Sequence, residues 1–331
     1  MFRKNFIYIL LIVLVLLLSA CQSNGDKAVV ENEVTGEFVT INDKYGQISV
    51  PKNPKRVVVL DNRSFETLES WGVKLAAVPK AVMDQESAYV KDDGVQDIGD
   101  HKEPKLELIA SINPDLVIIG QRFSTYYEDI KALVPNAKVV DLDIDLTENA
   151  ETPGKNLEKG LKELTGILGK IFDKKAESDQ LIQDFESSLS QAKEAYKGDS
   201  VMSIIVSGGK IRFAAPKTGR VWGSLYELMD WKSSMDIDGS SADHKGDDIS
   251  VEAIAQSNPD WLFVLDRDAA VASVENAIPA RDTIVNSEAL KNISAIKNDR
   301  IVFAPDNTYT NESIQTYIKI FNDLKTAFES K

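Results

Sequence analysis

Cysteine and histidine are almost missing from this 331-residue chain, which has one of the first and two of the second. A single thiol closes no internal disulfide, and without a C-x-x-C pair there is neither a zinc ribbon nor a dithiol redox centre. Two histidines exclude a three-histidine zinc or manganese site, and no H-E-x-x-H is present. Ser207-Gly208-Gly209-Lys210 has a lysine but lacks the upstream glycine of a P-loop, so the chain should not hydrolyse ATP. "GSLYEL" at 223–228 lacks the second glycine of a nucleophile elbow, and no convincing acid–base pair stands out, so the chain reads as a non-enzyme. Positive charge is also scarce: 38 basic against 52 acidic residues give a net charge of −14. That balance argues against nucleic acid, whose phosphates need a basic face, but leaves room for a local basic cleft.

There is one long apolar run, and it lies at the start. Arg3 and Lys4 precede an apolar stretch from Phe6 to Leu18, followed by Leu18-Ser19-Ala20-Cys21. A charged n-region, a short h-region and small residues before a cleavage point make a secretory signal, and the last four residues match the bacterial lipobox. Residues 1–20 are thus expected to be a lipoprotein signal peptide. Cys21 would carry the lipid and hold the protein on the extracellular face of the membrane. Polar, aperiodic residues 21–37 read as a tether.

Folded sequence begins near Phe38. Between 38 and 153, strand-like runs at 57–60, 75–78, 116–119 and 138–140 alternate with helical patterns, after a hairpin signal around Asp43-Lys44-Tyr45-Gly46. Residues 154–197 are almost wholly helical in pattern, with Leu181, Ile182, Phe185 and Leu189 at helical spacing. Strands resume between 198 and 331, and an amphipathic helix closes the chain. The expected fold is α/β: two three-layer lobes joined by a single long helix.

One unit occurs twice. "IASINPDLVIIGQR" (109–122) aligns without a gap with "IAQSNPDWLFVLDR" (254–267). Proline disfavours helix in the residue before it, so each helix should stop at Asn113 or Asn258. The apolar run after Asp115 or Asp260 is a buried parallel strand. Arg122 and Arg267 then fall just past its carboxyl end, the edge where open α/β sheets bind ligands. Glu107 and Glu252 stand in register at the N-termini of the preceding helices, where a helix dipole alone would also favour them.

On these marks, together with "KRVVVLD", "IGDHKEPKLELIASINPDLVIIGQR", "IVSGGKIRFAAPKTGRVWGSLYELMDW" and "APDNTYTNESIQ", the sequence resembles class III substrate-binding lipoproteins of ABC importers for iron–siderophore complexes, across nearly the whole mature chain. Within that class it most resembles Gram-positive binders of catecholate siderophores, including petrobactin. The resemblance implies a monomeric receptor with no intrinsic cofactor and a ferric siderophore as ligand, handed to a permease pair with its ATPase. It implies that Arg122, Arg220 (in "PKTGRVWG") and Arg267 receive an anionic ferric catecholate. It implies that His244 and Tyr309 lie where the family places iron ligands, and that Glu107 and Glu252 dock on the permease. His244 sits in His-Lys-Gly-Asp where the family often has His-Gly-Lys-Ser, and an exposed loop histidine is the alternative. Tyr309 could equally be an aromatic lid, and His101, in "GDHKEP", is a rival ligand. Haem or a corrinoid is the other ligand considered, and a surface enzyme using His244 as base the other class.

Overall fold

The computed structural model describes residues 36–236, 244–271 and 278–330; Cys21 and the apolar leader lie outside them. Among the described residues no helix is long and apolar enough to cross a membrane.

A short hairpin comes first. Strands β1 (Phe38–Asp43) and β2 (Gly46–Pro51) pair antiparallel across the two-residue loop Lys44-Tyr45. The Asp43 carboxylate accepts from the Tyr45 amide at 2.9 Å, and Gly46 has φ +119°, a backbone position that glycine adopts without strain.

Two parallel sheets follow. The first runs β5-β4-β3-β6-β7, formed by β3 (Val57–Leu60), β4 (Ala77–Val78), β5 (Gln96–Asp97), β6 (Leu116–Ile119) and β7 (Lys138–Asp141), all parallel. Every residue of "VVVL" and "LVII" is buried, as it must be in a sheet covered on both faces. Alternate residues serve opposite sides: Val57, Val59, Leu116 and Ile118 enter one apolar cluster, Val58, Leu60, Val117 and Ile119 the other. The second sheet repeats the plan with β8 (Ser200–Ser207), β10 (Lys232–Ser233), β11 (Trp261–Asp266) and β12 (Ile301–Phe303), ordered β10-β8-β11-β12 and parallel; β9 (Lys210–Phe213) adds antiparallel to β8. The result is two three-layer α/β halves.

Helices α1 (Phe65–Ser70) and α2 (Leu106–Ile112) flank the first sheet. A single long helix, α3 (Pro153–Ile171), joins the halves, and the rest of the linking segment forms a second helix, α4 (Lys175–Ala195), beyond a break that the helical pattern does not show. The break falls at Phe172-Asp173-Lys174, where Asp173 turns left-handed at φ +55° and the Lys174 amide donates back to the Gly169 carbonyl at 2.8 Å. No glycine or proline marks the turn, so periodicity alone runs through it. The helices pack as an antiparallel pair; a Cβ on Gly169 would lie 2.3 Å from Ser178 Oγ, so the crossing requires glycine. α3, about 28 Å long, joins the halves: Leu157 and Leu161 sit in the core of the second sheet, and Leu164, Leu168 and Ile171 in that of the first.

The repeat now has a structural meaning. α2 and α6 (Val251–Ser257, after α5, Gly223–Met229) both end on a left-handed asparagine, Asn113 at φ 49° and Asn258 at φ 45°. Asp115 Oδ2 accepts the Lys55 and Arg56 amides at 2.9 Å, and Asp260 Oδ2 accepts the Ser200 amide at 2.9 Å. In each half, Asn-Pro-Asp therefore ends a helix, starts a strand and anchors the root of the neighbouring strand. The terminal helix α7 (Ile314–Ser330) packs along α4, with Phe185 and Phe321 rings 5.6 Å apart.

Candidate ligand-binding site

Arg122 follows β6 in a short 3₁₀ segment, and Arg267 opens a short helix directly after β11. Both leave the carboxyl edge of their sheet, and both reach the same residue, Tyr309, in the loop after β12. Arg220 comes from the loop between β9 and α5. All three guanidiniums converge on one ring, their Cζ atoms 5.5, 4.3 and 5.2 Å from the Tyr309 centroid for Arg122, Arg220 and Arg267. The His244 ring is centred 6.5 Å from the same phenol.

Tyr309 is held by a run of turns after β12: Thr308, Thr310 and Asn311 donate their amides to the Pro305, Asn307 and Thr308 carbonyls. The loop is tied to the first half by Asn62 donating to the Thr310 carbonyl and Asn307 donating to Asp84. Its own Tyr309 carbonyl accepts from Arg122 Nη2 at 3.2 Å and Arg220 Nη2 at 3.0 Å. Only 3% of the tyrosine is exposed, so the ring is a wall of the cluster.

Three like charges around one ring repel, and the quadrupole of a phenol offsets only part of that. Burial, and next the charge of Arg220, push Arg122 down to about 10. The Nε atoms of Arg122, Arg220 and Arg267 are all buried without a hydrogen-bond partner. Planar guanidinium donors gathered in this way are the groups that recognise anions bidentately.

Two neighbours were not singled out from the sequence. Arg63, 1% exposed, lies just past the carboxyl end of β3, where the rule that singles out Arg122 applies equally. Glu312, 2% exposed, follows the Tyr309 loop and pairs with both Arg63, at 3.3 Å, and Arg220. In the sequence it looks like an ordinary acidic residue ahead of a helix. His101 lies near Arg122 and Arg220; burial and then Arg122 hold its pKa below the usual histidine value, and its Nδ1 is buried and unpaired. Glu107 and Glu252 are not part of this cluster: both are exposed, in the first turns of α2 and α6.

Asp61 follows β3, two residues before Arg63, and is 1% exposed. Burial pushes it up to about 6 against the opposing pull of Arg63. Gly120 is required here, since a Cβ would lie 2.1 Å from Asp61 Oδ1. A carboxyl whose folded pKa is raised favours the folded state below its unfolded value, near 4, and loses that advantage as pH rises towards 6. Asp61→Asn, which cannot ionise, should therefore gain on the wild type between pH 4 and 6. At pH 7 we expect it to be more stable by about 1–3 kcal/mol, and at pH 4 near parity. Urea unfolding of both proteins at the two pH values measures this, and an equal difference at both would contradict it.

A family model described as periplasmic binding protein matches residues 57–308, and the chain belongs to that family. It is a substrate-binding protein rather than an enzyme. Among its curated relatives is the petrobactin-binding protein YclQ of Bacillus subtilis, 27% identical over 338 residues covering 99% of both chains. The crystal structure of YclQ superposes with a TM-score of 0.73 at 26% identity, covering 89% of this chain and 100% of that one. The ferric-anguibactin-binding protein FatB of Vibrio anguillarum is 24% identical over 296 residues, 88% of each chain. The iron(3+)-hydroxamate-binding protein FhuD of Bacillus subtilis is 25% identical over 297 residues, 88% of this chain and 86% of that one.

Proposed function

We propose that this protein is a membrane-tethered receptor that captures an anionic ferric siderophore, of catecholate type, between its two halves and delivers it to an ABC permease pair for iron uptake. The observation that carries this reading is the convergence of Arg122, Arg220 and Arg267 on Tyr309, each with an unused Nε donor. A ferric tris-catecholate carries three negative charges. At an effective dielectric near 20, each guanidinium contact at about 4 Å gives on the order of 4 kcal/mol before desolvation. The names of FatB, a ferric-anguibactin-binding protein, and FhuD, an iron(3+)-hydroxamate-binding protein, support a ferric chelate, and the arginine chemistry supports an anionic one.

In this reading residues 1–20 are the signal peptide, Cys21 the lipid anchor and 21–37 the tether on the outer face of a Gram-positive membrane. Residues 38–153 and 198–331 are the two lobes, linked by 154–197, and the receptor acts as a monomer. His244 and Tyr309 complete the iron shell where the siderophore supplies four donors; a phenolate is a hard donor suited to ferric iron. The test is a titration followed by visible absorption. The ferric catecholate should bind with a band that shifts in Tyr309→Phe if the phenolate ligates; tight haem binding with no response to catecholate would overturn the reading.

Glu107 and Glu252 sit on matching helices of the two halves, which suits a permease pair with two-fold symmetry. The double variant Glu107→Ala/Glu252→Ala should bind ligand as the wild type does yet lower uptake of labelled ferric complex by cells about tenfold or more. Unchanged uptake would remove the docking role.

A further inference from the structure

We propose that Glu312 is a positioning residue of the ligand site: a buried carboxylate that fixes the Arg220 guanidinium and ties it, through Arg63, to the opposite half. This rests on the reading of the cleft as an anion receptor.

Arg220 is anchored twice at Nη2, by the Tyr309 carbonyl at 3.0 Å and by the Glu312 carboxylate. Its Nε is buried and has no hydrogen-bond partner in the unliganded protein. Glu312 also holds Arg63 at 3.3 Å, and Arg63 approaches Asp143 at 3.9 Å. Arg63 follows β3 of the first sheet, Arg220 follows β9 of the second, and Glu312 lies in the loop between β12 and α7. Burial would raise the glutamate, but Arg220, Arg63 and Arg122 hold it below the ordinary glutamate value, so it stays ionised. The carboxylate thus does two things. It limits the mutual repulsion of the cluster in the empty protein, and it orients the planar fork of Arg220 before the ligand arrives, so less side-chain freedom is lost on binding.

The test is a double-mutant cycle with a ferric tris-catecholate complex as probe, measuring Kd for wild type, Glu312→Gln, Arg220→Ala and the double variant, with thermal melts of each. If Glu312 acts through Arg220, Glu312→Gln weakens binding about tenfold or more in the wild-type background and about twofold or less once Arg220 is alanine. An equal loss in both backgrounds would mean a merely structural role and overturn the proposal. So would an unchanged Kd for Glu312→Gln beside a clear loss for Arg220→Ala, which leaves the receptor reading standing. No binding of the probe by the wild type would overturn both. Should Glu312→Gln fail to fold, Glu312→Asp, which keeps the charge on a shorter arm, replaces it in the same cycle with the same expected pattern.

Discussion

Arg220→Ala is expected to weaken capture of a ferric tris-catecholate about a hundredfold, the largest effect of any single substitution at the candidate site. Arg220 stands closest to the Tyr309 ring, at 4.3 Å, and is the one arginine of the three paired with the buried Glu312. Its loss removes a charged donor to the ligand and leaves Glu312 with Arg63 as its remaining ion-pair partner, a carboxylate facing an incoming anion. Truncating one member of a buried, hydrogen-bonded charge pair costs about 2–5 kcal/mol, and a hundredfold corresponds to about 3. Fluorescence titration measures it. A change below threefold would mean that Arg220 does not meet the ligand.

Arg122→Met should separate stability from function. The charge of Arg122 is disfavoured in the empty protein by burial and then by Arg220, and its hydrogen bond goes to a neutral carbonyl. A methionine of similar reach fills the space without the charge. Replacing an uncompensated buried charge by an apolar side chain is often stabilising, so the unliganded variant should gain about 1 kcal/mol or more, seen as a higher Tm. Binding should move the other way, weaker by about tenfold or more, because the anion would have neutralised that charge. A variant both less stable and unchanged in affinity would show that Arg122 is structural.

The fold was legible in the sequence wherever a residue type restricts the backbone. Asn-Pro-Asp stops helices in both halves, and "VVVL" and "LVII" read as strands buried on both faces. The break between α3 and α4 was not legible, because Phe172-Asp173-Lys174 contains neither glycine nor proline and the turn is made by an aspartate at φ +55°. Within the candidate site, Arg122 and Arg267 could be read from the sheet-edge rule, whereas Arg220 and Tyr309 came from resemblance; the structure brings all four together. Glu312 stayed hidden because its significance is tertiary. Its two partners, Arg63 and Arg220, lie 249 and 92 residues away along the chain.

The most direct test of the receptor is a crystal structure of the chain with a ferric tris-catecholate bound. The account predicts the iron complex between the two sheet edges, with catecholate oxygens within hydrogen-bonding distance of Arg122, Arg220 and Arg267 and the complex lying against Tyr309. A complex bound elsewhere, or one in the cleft with those three side chains turned away from it, would contradict it.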